Sequence, residues 1–247
     1  MAGHAEIHAK VSEILSAAGF EVHPFLIGWY NENVQTPFEL PYDPDTLAFI
    51  IFSTPAMFDK AFKPFICRQS CDQQRDPIDE CMIHHFNMVR EAFPSEEIET
   101  LHDFEMTATR RPKVLVQTAG HVAGAAYYYQ RKDVEPDEWD SKKKIYGVSI
   151  HPKYGGWFAL RGVIIFQKVH QPDLPRREPE DCVKSREDRI KLLEGFNYNW
   201  QDWTYRDIVP AQDKYSEEQM KYFATMPKDR KEVVEEIKAK HCGDGKE

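Results

Sequence analysis

Residues Tyr146–Lys168, YGVSIHPKYGGWFALRGVIIFQK, decide the fold class. Two strand-forming runs, Tyr146–His151 and Trp157–Lys168, flank the turn HPKYGG at 151–156, whose paired glycines permit positive φ. This spacing predicts an antiparallel hairpin in the middle of the chain. Upstream, Thr46–Ser53 (TLAFIIFS) is a continuous apolar run, as a buried central strand requires. Lys113–Gln117 (KVLVQ) reads as another short buried strand, and Phe20–Tyr30 is rich in strand formers.

Helical periodicity surrounds these runs. At 5–18, Ile7, Val11, Ile14, Leu15 and Ala18 fall on one face, and Gly19 is a natural stop. Residues 55–91 are mainly helical, with Asp76-Pro77 opening a helix that carries Ile78, Cys81, Met82 and Val89. Residues 186–196 return to helix, Ser216-x-x-Gln219 forms a capping box, and Pro227 opens a last helix with Val233, Val234 and Ile237 inside. Mixed helices and antiparallel strands predict an α+β fold. No segment between Ala5 and Lys240 is long or polar enough to divide the chain, so one domain over 1–247 is expected, with a core at about 5–240 and a short polar tail.

The chain has 247 residues, enough for a sizeable core. A net charge of −9 argues against non-specific nucleic-acid binding, which needs clustered positive charge. The N-terminus MAGHAEIHAK has neither a basic start nor a long apolar run, so no secretory signal is expected. The longest apolar runs, Leu47–Phe52 and Gly162–Phe166, fall far short of the roughly 20 residues that span a bilayer. A cytoplasmic location is the expectation. The five cysteines, Cys67, Cys71, Cys81, Cys182 and Cys242, are odd in number and read as reduced. Cys67, Cys71, Cys81, His84 and His85 lie close together, but C-x3-C followed by C-x2-H-H is not a usual zinc pattern. Phosphate-loop, dinucleotide-fold, nucleophile-elbow and H-E-x-x-H motifs are absent.

Three features carry possible function. The run Gln117–Gln130, QTAGHVAGAAYYYQ, combines small residues that admit close approach with three tyrosines. Tight helix–sheet packing explains it equally well, and composition alone favours that. His121 within it reads as a hydrogen-bonded core histidine. Arginine is the second feature: Arg110 and Arg111 precede a strand, Arg161 interrupts an apolar one, and Arg206 lies in WTYRD. A buried guanidinium must be paired or face a wet cavity. Such arginines suit a ligand with two carboxylates, although a plain salt bridge from Arg206 to Asp202 or Asp207 is the simpler account. Third, Trp157, Trp200 and Trp203 could wall a flat cofactor or serve as core. The fragment His121-Val-Ala-Gly124 keeps only the H-x-x-G part of the corrinoid motif D-x-H-x-x-G, so histidine ligation of cobalt is not indicated.

At this point GFEVHPF, LAFIIFSTPAMFD, RRPKVLVQTAGHVAGAAYYYQR, GVSIHPKYGGWFALRGV, DRIKLLEGFNYNWQDWTYRD and YSEEQMKYF together identify a resemblance that runs from Gly19 to Arg230 in order. The chain resembles the cobalamin C-type (CblC) family of vitamin B12-processing chaperones. The resemblance implies a flavin reductase/nitroreductase-like fold, a mixed and mainly antiparallel sheet flanked by helices. It implies a cytoplasmic enzyme that binds cobalamin base-off, with no protein ligand on cobalt and hence no protein metal site. Alkyl groups would pass to glutathione, as in an alkylcobalamin dealkylase of glutathione transferase type. Cyanide would leave by reduction, as in a cyanocobalamin reductase, with electrons from FMN, FAD, NADP-linked reductases or thiols.

The family's cobalamin contacts fall on Asp103, Val114, Leu115, Val116, Gln117, Tyr128, Tyr129, Gln130, Ser149 and Leu160. Its glutathione anchors fall on Arg161, Arg206 and Arg230, with His121 behind the pocket; no catalytic side chain is assigned. The implied partners are a cobalamin D-type protein and the methionine synthase machinery, with the chain a monomer or a ligand-induced homodimer. Relatives carry cysteine where this chain has Ser149, which excludes a thiol role there. Some relatives also extend past Glu247 in a Pro/Ser-rich tail, expected to be dispensable. A non-catalytic cobalamin-binding chaperone and a flavin reductase are the competing readings.

Overall fold

The computed structural model describes residues 4–68 and 76–243. Helix α1 (His4–Ser16) leads into β1 (Phe20–Leu26), α2 (Ile27–Asn31) and β2 (Thr46–Ser53). A π-helical turn at Phe58–Phe62 runs into α3 (Lys63–Arg68), followed by α4 (Pro77–Ala92) and β3 (Ile98–His102). Then come α5 (Val116–Val122), β4 (Tyr127–Tyr129), β5 (Val148–Ile150) and β6 (Ala159–His170). The chain closes with α6 (Arg186–Tyr198), α7 (Glu217–Ala224) and α8 (Arg230–His241).

The main sheet is antiparallel with order β1-β2-β6-β3, and β4 and β5 form a separate pair. β1 is an edge strand, which is why it tolerates Pro24. The apolar run of β2 is buried along its whole length because helices cover both faces of the sheet. Leu47, Phe49, Ile51, Ile164 and Phe166 face α1, α3, α4, α7 and α8; Ala48, Ile50, Phe52, Val163 and Ile165 face α2 and α5. The mixed α+β expectation is met, as is the central placement of β2.

Where β2 and β6 end together, the alternation breaks. Ile51 pairs with Gly162 and Phe52 with Leu160, so Arg161 is an extra residue, a β-bulge. The bulge keeps Leu160 on the α5 face and turns Arg161 to the opposite face, where its guanidinium lies over the Phe223 ring of α7 at 5.6 Å. Gly162 makes this possible, with φ of 147° and so little room that a Cβ would stand 2.3 Å from the Leu101 carbonyl oxygen.

Three sequence expectations need correcting. Tyr146–Lys168 is not a hairpin: β5 pairs with β4, while both edges of β6 are taken by β2 and β3. The HPKYGG turn does close, through paired His151 and Gly155 amide–carbonyl bonds of 2.9 and 2.8 Å. The chain then swings around Arg206, whose carbonyl accepts from the Gly156 amide at 2.9 Å. Lys113–Gln117 is not a strand either, because α5 begins at Val116; five apolar residues do not distinguish a strand from a buried helix start. Phe20–Tyr30 splits into β1 and α2.

The cysteines also differ from the reduced state expected. Cys67, near the end of α3, is disulfide-bonded to Cys242, just past α8, across 175 residues of sequence. Packing of α3 against α8 brings them together, which spacing along the chain could not reveal. Cys81 and Cys182 are not disulfide-bonded; Cys71 lies outside the described residues. Among the described residues no group of three or more His, Cys, Asp or Glu could hold a metal, and no helix is long and apolar enough to cross a membrane.

Replacing Gly162 with alanine forces a side chain into the Leu101 carbonyl at a φ that L-residues avoid. Urea denaturation is expected to show a loss of at least about 2 kcal/mol, with Gly195→Ala, which has more room, costing clearly less.

Candidate functional site

The groove starts from α5. Gly120 brings this helix against β6 so closely that a Cβ would meet the Leu160 side chain at 3.0 Å. The small residues of QTAGHVAGAAYYYQ therefore do serve helix–sheet packing. That packing also sets up a cavity of about 360 Å3 lined by Asp103, Val114, Leu115, Val116, Gln117, Ser149 and Leu160, all expected contacts. Phe158, Phe196, Tyr205 and Arg206 also line it. Two further cavities share its edges. One of about 480 Å3 touches Gln117, Tyr128, Tyr146, Phe196 and Trp200; another, of about 750 Å3, touches Tyr128, Gln130 and Tyr146. Gly147 borders all three, making them lobes of one groove.

Gly147 must be small: a Cβ there would lie 2.6 Å from the Tyr128 ring and 2.7 Å from the Tyr129 carbonyl oxygen. Ser149 Oγ is buried in the groove wall with no hydrogen-bond partner, a polar group that awaits one. Tyr129 faces away. Its ring is fully buried, and its hydroxyl donates to Asp181 at 2.7 Å and accepts from the Val183 amide at 2.8 Å. His121, at the end of α5, accepts from the Tyr128 amide at 3.1 Å and packs edge-on to Tyr127, so it fixes β4 behind the groove. Burial lowers its pKa, keeping the imidazole neutral for that bond. The 114–117 segment is not an open strand edge, since the Leu115 amide already donates to the Tyr30 hydroxyl at 3.0 Å.

The three expected arginines approach one another through an aromatic string. Arg206 stacks over Trp203 at 4.8 Å and Tyr215 at 5.4 Å, while its guanidinium donates to the Gly156 carbonyl. The salt bridge to Asp202 or Asp207 does not form; Asp207 instead accepts from Trp157 Nε1 at 2.7 Å and pairs with Lys214 at 2.8 Å. Trp203 holds its stack with a left-handed φ of 64°. Tyr215 packs on Phe223 at 5.5 Å, and Phe223 carries both Arg161 at 5.6 Å and Arg230 at 5.9 Å. Trp157 and Trp203 thus serve the arginines, and Trp200 walls the groove.

Around Arg161 and Arg230 stand three carboxylates: Asp103, expected as a cobalamin contact, and Asp76 and Asp79, for which the sequence alone indicates no site role. Asp76 caps α4 by accepting from the Ile78 amide at 3.3 Å, accepts from the Tyr222 hydroxyl at 2.6 Å and pairs with Arg230. Asp103, largely buried at the edge of the groove, feels Arg161 and accepts from backbone amides of 103 and 104. Asp79, one turn into α4, has a carboxylate with no hydrogen bond or ion pair among the described residues. Burial, reinforced by Asp76 and Asp103, pushes the Asp79 carboxyl up to about 7 against the pull of Arg161 and Arg230. Arg161 donates from Nε to Ser53 Oγ at 2.8 Å and leaves Nη2 unpartnered, although the residue is only 6% exposed. The Asp76-Pro77 helix opening was legible in the sequence; that its first turn faces two arginines from β6 and α8 was not.

Comparison with known proteins bears on this site. The model of the methylmalonic aciduria and homocystinuria type C family matches residues 19–234. A Homo sapiens protein named cyanocobalamin reductase / alkylcobalamin dealkylase is 54% identical over 228 residues, covering 92% of this chain and 80% of its own. Its Gallus gallus namesake is 55% identical over 225 residues, covering 90% and 94%. The crystal structure of a C. elegans B12-trafficking protein CblC, described as a human MMACHC homologue, superposes with a TM-score of 0.84 at 39% identity, covering 95% of this chain and 96% of that one.

A carboxyl whose pKa is raised from 3.8 to about 7 on folding costs stability as pH climbs through that window, because the unfolded chain ionises first. Asp79→Asn is expected to raise Tm by about 2–4 °C at pH 8, with a smaller gain at pH 5, as read by thermal melts. A gain that is larger at pH 5 would contradict the assigned burial.

Proposed function

This chain belongs to the methylmalonic aciduria and homocystinuria type C family, and on that premise we propose that it is an enzyme acting on cobalamin, a cyanocobalamin reductase and alkylcobalamin dealkylase. The carrying observation is the groove around Gly147, which gathers the expected contacts Asp103, Val114–Gln117, Tyr128, Gln130, Ser149 and Leu160 and presents the unpartnered Ser149 Oγ to a ligand. A long, lobed groove with flat aromatic walls suits a corrin with its amide side chains. Cobalamin is bound there base-off; among the described residues no histidine lines the groove, and His121 is committed to the Tyr128 amide.

Glutathione is the co-substrate, its two carboxylates held by Arg161, Arg206 and Arg230. Its thiolate attacks the carbon of the upper ligand; the sulfur–carbon bond forms as the cobalt–carbon bond breaks, and the electron pair stays on cobalt as cob(I)alamin. Holding both reactants supplies much of the rate, and a water-restricted pocket protects the reduced product. Decyanation draws its electrons from a loosely bound FMN or FAD, an NADP-linked reductase or thiols. The flavin reductase/nitroreductase-like ancestry, a single processing domain over 1–247, a cytoplasmic location, and handover to a cobalamin D-type protein and the methionine synthase machinery complete the reading.

Anaerobic mixing of methylcobalamin, glutathione and protein is expected to convert the methylcobalamin spectrum to that of cob(I)alamin. Intact binding with an unchanged spectrum would leave only a chaperone, and tightly co-purifying flavin would favour a flavin reductase. Arg161→Gln is expected to raise the glutathione KM while sparing cobalamin affinity; equal loss of both would remove Arg161 from the anchor set. Gly147→Ala, which pushes a methyl into the Tyr128 ring, is expected to weaken cobalamin binding at least about tenfold in absorbance titrations.

A further inference from the structure

Among the described residues, the cluster at the start of α4 holds more negative than positive charge. Asp76 and Asp79 from α4 and Asp103 after β3 face Arg161 from β6 and Arg230 from α8, with the Tyr222 hydroxyl of α7 bonded to Asp76. If all three carboxyls are ionised, two guanidiniums face three carboxylates, and an incoming carboxylate would enter a net negative field. Yet the cluster is built to receive one, because Arg161 is buried with Nη2 unpartnered, a state that costs free energy until an acceptor arrives.

Protonation of one carboxyl resolves the conflict, and the geometry identifies which. Protonating Asp76 would weaken its bonds to Arg230, Tyr222 and the Ile78 amide. Protonating Asp103 would weaken the backbone bonds that hold its side chain at the groove. Among the described residues Asp79 has no such bonds to lose.

We propose that an anionic co-substrate held by Arg161 and Arg230 is taken up together with a proton on Asp79, so that this carboxylate sets the pH range over which the site accepts anions. The proposal rests on the reading of these arginines as glutathione anchors. Asp79 is here a specificity-determining residue, not a catalytic one. Linkage gives the sign: binding favours the protonated form, so affinity falls as pH rises through about 7, the value to which burial lifts this carboxyl.

The probe is S-methylglutathione, which carries both carboxylates but no titrating thiol. Calorimetric titration into the full-length protein is expected to show binding about tenfold weaker near pH 8 than near pH 6, with proton uptake revealed by two buffers of different ionisation enthalpy. In Asp79→Asn the pH dependence is expected to flatten to within about twofold, with affinity near pH 8 above that of the wild type. Asp79→Glu, which restores the carboxyl, is expected to restore the slope. A pH-independent affinity in the wild-type protein, or an undiminished slope in Asp79→Asn, overturns the proposal. Absence of binding by the wild type at both pH values overturns the glutathione reading itself, and the proposal with it.

Discussion

One extra residue in β6 organises the rest of the site. An antiparallel ladder alternates its side chains strictly, so without the bulge Arg161 would share a face with Val163 and Ile165, among the apolar side chains packed on α5. Inserting it opposite the Ile51–Phe52 step shifts the parity by one. Leu160 stays with α5 and forms the floor of the groove, and Arg161 emerges on the other face beneath Phe223. Gly162 absorbs the backbone cost, with a φ of 147° at a point where a Cβ would stand 2.3 Å from the Leu101 carbonyl oxygen. A β-bulge beside a binding site is a recurrent means of re-aiming a side chain, and here it parts an apolar cradle from a cationic anchor within two residues.

Separation alone would not serve the proposed two-substrate reaction, since its reactants must also meet. They can meet because β2 and β6 end at the same level and β3 hands over to Asp103 there. Ser53 closes β2 and accepts from Arg161, while the Asp103 amide donates to the Arg161 carbonyl at 3.2 Å. Asp103 therefore borders the groove and feels the arginine across the sheet end. Arg206, reaching the groove from the other side, is held flat by Trp203 and Tyr215, and the same aromatic string carries the other two guanidiniums. Aromatic faces stabilise these cations while leaving some in-plane donors free, as the unpartnered Arg161 Nη2 and Arg206 Nε show.

The C-terminal helices matter to this arrangement beyond covering the sheet. Tyr222 and Phe223 of α7 reach Asp76 and both arginines, and Arg230 opens α8. The disulfide from Cys67 to Cys242 ties the far end of α8 to α3, so the helix that carries Arg230 is anchored at both ends, by the Asp76 ion pair and by the disulfide.

Much of this was legible in the linear sequence, where the physics is local. The apolar run at 46–53, the Asp76 and Ser216 caps, the Gly19 stop and the inner face of the last helix all follow from residue type and near-neighbour spacing. The motifs of the resemblance named the groove residues, and most of them do line one groove. Pairing was not legible. YGVSIHPKYGGWFALRGVIIFQK has every local mark of a hairpin, yet its two strands join different sheets because β2 and β3 already occupy both edges of β6. The side on which Arg161 emerges, the meeting of Asp79 with arginines 82 and 151 residues further on, the turn of Tyr129 away from the groove into a core and the Cys67–Cys242 bond depend on register and helix docking. Propensity and capping act within a few residues and are written in the sequence directly. Strand competition for an edge and the charge balance of a buried cluster are properties of the assembled chain, and only the tertiary structure decides them.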